Sequence, residues 1–318
     1  NEQSGKMTNY WTQRKHVSGL QRCQFIKENL MISSSAREEL FLWELNTEGD
    51  SRPYIALRQS LPVSRNLPDL RIMDFDVKFL GASQNFILAT VYSDSTIKVW
   101  LYDSEQNTFT TIINGDYKTC CILNVFLTPI CDQLFLAIAP TDGHLIFYNI
   151  TEHIPFEIDE KSGELIDNDL DLSLMDLPDY DCRLEVHQSG IKCMSHVLEQ
   201  GNELFIYTGG DDNALGITIA KLDAATGKLN ARVLDFQPQA AASTMTSCSL
   251  ISNGTKLLTT SVDQIVRLWD ITENKLIKHS SEYTTIADTG CSDAVQTKDT
   301  RHLALIGGVG LSALRIDL

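Results

Sequence analysis

Two adjacent carboxylates close the run Tyr207-Thr208-Gly209-Gly210-Asp211-Asp212. Paired acids beside glycines are what a divalent cation requires in polymerases and cyclases, where hard oxygen ligands hold the metal. A second cluster, Asp167, Asp169 and Asp171, has the alternating spacing that opens a calcium loop. Leu172, however, stands where that loop needs glycine, and Pro178 where its bidentate Glu belongs. His187 and His196 have no third ligand at zinc spacing, and no H-E-x-x-H occurs. The chain also lacks a G-x-S-x-G nucleophile elbow and a glycine loop for phosphate. Nothing in these spacings selects a catalytic residue, a metal ligand or a cofactor, so the expectation is a non-enzymatic protein with none of the three.

The elements that carry these residues are strands. Leu257 to Asp270 reads L-L-T-T-S-V-D-Q-I-V-R-L-W-D, two apolar runs around a polar turn at Asp263. Upstream, Ser252-Asn253-Gly254-Thr255 is a turn of the Asn-Gly type, which joins antiparallel strands. Leu88 to Trp100 aligns with Leu257 to Trp269 without a gap, setting Thr90, Asp94 and Trp100 on Thr259, Asp263 and Trp269. Asp211-Asp212 falls opposite Val262-Asp263, which makes it an inter-strand turn and not a metal site. Such units, closing on tryptophan-aspartate, resemble the WD-repeat family of β-propellers.

The resemblance implies an all-β propeller of six four-stranded blades, or seven if a degenerate unit lies outside this sequence. Trp43, Trp100 and Trp269 hold the same slot in units one, two and five, and Tyr148 holds it in unit three, after the Asp142-Gly143 turn. Unit four begins at His187 and unit five contains Leu257–Asp270. Unit six offers three strands, near Ala294–Gln296, His302–Ile306 and Leu311–Ile316. A strand at Tyr10–Lys15 would then complete that last blade and remove its open edge. The chain is expected to be one domain over residues 1–318. Because it opens at Asn1 without a methionine, it reads as a piece of a larger multi-propeller protein.

The resemblance also implies a buried network within a blade, made of a turn Asp, a strand Ser or Thr, a Trp and a His before the first strand. Such groups tolerate burial only by satisfying one another. Unit four offers His187, Thr208 and Asp212 but has Thr218 in the tryptophan slot. Unit five offers Thr259, Asp263 and Trp269 but has Ala241 in the histidine slot. Unit one has His16, Ser33 and Trp43, with Arg37 replacing the acid.

The 318 residues carry a formal net charge of −16, a poor surface for wrapping phosphate. The eight cysteines show no C-x-x-C spacing, and they read as reduced buried thiols in a cytosolic or nuclear protein, with a cytoplasmic location expected. No apolar run is long enough for a membrane span. From Asp159 to Asp181 there are nine acids and one base. Residues 157–185 therefore read as an acidic inter-strand insertion, in part disordered, within which Asp159–Asp181 is not expected to pack as a strand.

H-x-S-G-[LI] occurs twice, at His16–Leu20 and His187–Ile191, leading into units one and four. Together with Tyr207–Asp212 and Gly307-Gly308-Val309-Gly310-Leu311, the second copy is similar to one family. That family is the large WD-repeat subunit that partners the methyltransferase acting on ribose 2′-hydroxyls of the tRNA anticodon loop. The likeness covers about the last 130 residues of the chain. It implies a scaffold that helps a separate catalytic subunit reach the first anticodon nucleotide, with tRNA met mainly through the complex. The rival class is a general WD-repeat interaction platform in trafficking or ubiquitin pathways.

Overall fold

Short polar turns between apolar runs give hairpins, and the hairpins build successive antiparallel sheets. In the computed structural model, the described residues are 12–47, 53–65, 67–81, 83–154, 156–158, 165–167, 173–199, 201–223, 225–297 and 302–317. The chain divides into two compact units, and the architecture is the all-β propeller class, with six blade sheets in chain order.

The first unit comprises Asn1–Phe126, His153–Glu157 and Glu164–Leu177. Its first sheet holds β1 (Arg22–Lys27), β2 (Leu30–Ser34), β3 (Leu40–Asn46) and β4 (Tyr54–Ser60) in sequential order. The second holds β5 (Ile72–Phe79), β6 (Phe86–Tyr92), β7 (Thr96–Asp103) and β8 (Thr108–Asp116). Every residue of β6 is buried, since a central blade strand is covered on both faces. Ile32, Leu42, Phe75, Phe86 and Tyr102 lie in one core cluster, with Phe86 stacked on Tyr102 at 4.7 Å between ring centroids.

The second unit comprises Leu127–Glu152, Ile158–Gly163 and Pro178–Leu318, so β9 (Ile122–Ile130) starts in the first unit and ends in this one. It continues with β10 (Gln133–Pro140) and β11 (His144–Asn149); next along the chain come the short strands β12 (Phe156–Ile158), β13 (Leu165–Asp167) and β14 (Met175–Asp176), of which β13 and β14 belong to the first unit. The third blade is then completed by β15 (Cys182–Glu185), in the order β15-β11-β10-β9. The fourth sheet is β16 (Ile191–Glu199), β17 (Glu203–Gly210), β18 (Leu215–Leu222) and β19 (Leu229–Gln237). The fifth is β20 (Met245–Ile251), β21 (Lys256–Ser261), β22 (Ile265–Thr272) and β23 (Lys275–Tyr283). Phe205, Tyr207, Ile217, Met245, Leu257 and Trp269 pack these two sheets together.

Three expectations need correction. The acidic insertion does form strands. Its last residues are the fourth strand of the third blade, Cys182 pairing with Phe147 and Glu185 with His144. Within it β12 pairs with β13, and β14 adds in parallel to the edge of β8. A strand needs only its backbone groups paired, and acids that point outward do not oppose that.

The sixth sheet has two strands among the described residues, β24 (Ala287–Gln296) and β25 (His302–Ile316), not three. The strands expected at His302–Ile306 and Leu311–Ile316 are one strand, running through Gly307, Gly308 and Gly310. A Cβ at Gly308 would stand 2.6 Å from the carbonyls of Ala287 and Asp288, so β25 continues through. Of the proposed closing strand, Tyr10 and Trp11 lie outside the described residues, while Thr12–Lys15 form no strand. No helix among the described residues is long and apolar enough to cross a membrane.

Candidate functional site

The pairing register assigns each network residue its slot. Trp43 faces Met31, Trp100 faces Leu88 and Trp269 faces Leu257, while Tyr148 faces Leu136 and Thr218 faces Ile206. The hydroxyl two residues further along the second strand is thereby brought under the indole. The Trp100 indole N–H donates to Thr90 Oγ1 at 3.0 Å, that of Trp269 to Thr259 Oγ1 at 3.0 Å, and that of Trp43 to Ser33 Oγ at 2.7 Å.

Blade four joins His187, Thr208 and Asp212. Nε2 of His187 lies 2.9 Å from Thr208 Oγ1 and Nδ1 lies 2.9 Å from Asp212 Oδ1. With the ring neutral, the threonine hydroxyl donates to Nε2 and Nδ1–H donates to the carboxylate. The amides of Gln188 and Ala214 donate to the same carboxylate at 3.0 and 3.2 Å. Asp212 is thus the acceptor of a closed turn. Gly210 is required beside it, because a Cβ there would sit 2.4 Å from Asp212 Oδ1 and 2.5 Å from His187 Nδ1. Thr218, in the tryptophan slot, is fully buried and its Oγ1 has no partner.

Blade one repeats the arrangement with a substitution that sequence spacing assigned wrongly. Arg37 stands in the acid's slot, but Glu39 does the acid's work. His16 Nε2 lies 2.7 Å from Ser33 Oγ, His16 Nδ1 lies 3.0 Å from Glu39 Oε2, and the Val17 amide donates to that oxygen at 3.3 Å. Glu39 is two residues later and one methylene longer than the expected Asp, so its carboxylate still reaches the histidine. Burial lowers the His16 pKa, against the hydrogen bond and charge of Glu39, which raise it.

In blades two and five an arginine meets the acid in place of histidine, and in blade three Arg183 does so beside the ring of His144. Arg65 pairs with Asp94 and also donates to Thr96 Oγ1 at 3.1 Å. Arg183 lies 3.5 Å from Asp142, whose Oδ1 accepts the His144 amide. Arg267 donates to Asp263 through two nitrogens at 3.1 and 2.5 Å, with both side chains buried. Burial pushes the Asp263 carboxyl up, but the bonds from Arg267 and from the Ala242 and Ile265 amides hold it below the usual carboxylate range.

Glu39, Arg65, Arg183 and Arg267 were not legible as network members. Arg267 left one signal, its position four residues after Asp263. Lys98 on β7 faces Thr90 as Arg267 on β22 faces Thr259, and in both blades the histidine is absent. Where that position holds Phe41 or Gly216, a histidine enters instead. In blade five the cation beside the acid comes from the third strand, in blade two Arg65 reaches it from before the first strand, and in blade three Arg183 reaches it from the fourth.

The metal-like clusters resolve differently. Asp211 meets Lys192 at 3.5 Å, while Asp212 is held by His187. Asp167 is in β13, whereas Asp169 and Asp171 lie outside the described residues. Among the described residues no three His, Cys, Asp or Glu gather as a metal site. All eight cysteines are free.

Residues 235–270 match the WD domain, G-beta repeat family, an interval that holds Thr259, Asp263 and Trp269. No curated protein matches the chain. With the order of its sheets, this makes the fold a WD-repeat β-propeller. Propellers of that class are generally non-catalytic platforms for protein partners.

Proposed function

We propose that the chain is the non-catalytic scaffold subunit of a tRNA ribose 2′-O-methyltransferase. In this reading it helps a separate catalytic subunit act on the first anticodon nucleotide, in the cytoplasm. One observation carries the reading. The two H-x-S-G-[LI] segments, remote in sequence, lead into the same geometry at His16–Ser33–Glu39 and His187–Thr208–Asp212. The second copy adjoins the Thr208–Asp212 run that resembles the methyltransferase-binding family. The net charge of −16 disfavours direct wrapping of tRNA, so the catalytic partner supplies most of the phosphate contacts.

The test is affinity purification of the tagged protein, with nucleoside mass spectrometry of tRNA from cells lacking it. Expected are a methyltransferase in the eluate and loss of the 2′-O-methyl group at the first anticodon position. Intact methylation, with vesicle-coat or ubiquitin-ligase components recovered instead, would replace this reading with that of a general interaction platform.

A further inference from the structure

The outer strand of a blade presents a row of free N–H and C=O groups, and such an edge accepts another strand. Among the described residues only one outer blade strand has taken one. On β8, Met175 pairs in parallel with Ile113 and Asp176 with Asn114, and the Leu177 amide donates to Asn114 O at 3.0 Å. The ladder stops at once: Pro178 follows Leu177, and no further pair joins the segment to β8.

The seat is specific in two ways. Leu177 rests over Gly115, where any Cβ would come within 2.3 Å of Leu177 Cβ, so the strand fits only because position 115 has no side chain. Asp176, Asn114 and Lys98 also share one cross-strand row, which puts all three on the same face of the sheet. That face opens on a basin of about 320 Å³ whose charged lining is Arg65, Lys98 and the acid Asp116, with Ser64, Thr96, Asn114 and Gly115 between them. Arg65 and Lys98 bring two cations there in a chain of strong negative charge. Asp94 pairs with Arg65, and Lys98 donates to Ser64 Oγ at 2.9 Å, so the cations are positioned as well as partly neutralised.

The occupant is lightly held. Leu174 is 64% and Met175 37% exposed, leaving one half-buried leucine and a two-residue ladder. We propose that the β8 edge, with its glycine notch and cationic basin, is a recognition site for an extended acidic segment of a partner protein. The segment places an acid in the Lys98 row and a following leucine over Gly115. Met175–Leu177 occupies the site in cis as a tethered competitor, which the partner displaces. The proposal rests on the scaffold reading only for its biological occupant.

The experiment uses a fluorescent peptide spanning Ser173 to Asp179, titrated to 1 mM against the full chain and against a variant with 159–177 replaced by a Gly-Ser bridge. The variant keeps Pro178–Glu185 and therefore the outer strand of blade three. Expected is binding to the variant at least tenfold tighter than to the unmodified chain, weakening as salt rises from 50 to 300 mM. Peptides carrying Asp176→Asn or Leu177→Ala bind at least fivefold more weakly, a comparison that needs no change to the protein. Gly115→Val in the bridged variant abolishes binding. Equal affinity for both chains, indifference to the two peptide changes, or no binding at 1 mM overturns the proposal. A methyltransferase absent from the purification above bears on the scaffold reading and leaves this titration intact.

Discussion

Blades four and five, neighbours in one unit, have lost opposite ends of the same network. Blade four keeps its histidine and lacks tryptophan; blade five keeps tryptophan and has Ala241 where the histidine would be. The two losses are met unequally. Asp263 recovers a cation from its own sheet, Arg267, and still accepts the Ala242 amide at 2.9 Å, just as Asp212 accepts that of Gln188. Thr218 recovers nothing, and its hydroxyl is buried without a partner. A buried carboxylate left alone is far more costly than a buried hydroxyl. Repair at the acid and neglect at the hydroxyl follow that ranking.

The comparison breaks most severely at the shared tryptophan slot. Trp269→Ala should destabilise the protein by about 3–5 kcal/mol, through a cavity between blades four and five and an orphaned Thr259. Urea unfolding measures it, and a loss under about 1 kcal/mol would mean that the indole does not anchor these sheets.

Next in size is the repair itself. Arg267→Met should cost about 3 kcal/mol by stranding Asp263, and Ala241→His in the same chain should return part of it by supplying the missing donor. No rescue would mean that the two solutions are not interchangeable.

Thr218→Val should go the other way, raising stability by about 1 kcal/mol, since it removes an unpaired polar atom at constant volume. A destabilised Thr218→Val would show that the hydroxyl has a partner, such as ordered water.

The smallest effect sharpens the comparison with blade one. His16 has its pKa lowered by burial from an unfolded value near 6.5. Its unfolded form therefore binds the proton more readily. The stability tied to neutral His16 is complete above about pH 6.5 and is lost as pH falls from there through the folded-state value. Comparing unfolding midpoints at pH 7.5 and 5.5, His16→Gln should flatten part of that fall. An unchanged slope would place the pH sensitivity elsewhere.

The repeats were legible because strand patterning is local. Leu88–Trp100 and Leu257–Trp269 carry their period and turn residues within thirteen positions, and both fold as read. Glu39 was not legible, because which of Arg37, Glu38 and Glu39 turns toward His16 depends on a turn in which Arg37 and Glu38 both adopt positive φ, 62° and 57°. Arg65 and Arg183 reach their acids across 29 and 41 residues, and no spacing rule predicts such a distance.

The acidic insertion divides in the same way. Its charge sets the expectation that it adds little to a core, since nine acids against one base resist burial. That Met175–Leu177 would lie along β8, and Cys182–Glu185 close blade three, was decided by the fold. A strand edge is a row of backbone groups with no side-chain code, and only tertiary structure brings that edge and a matching segment together, over a glycine that leaves room.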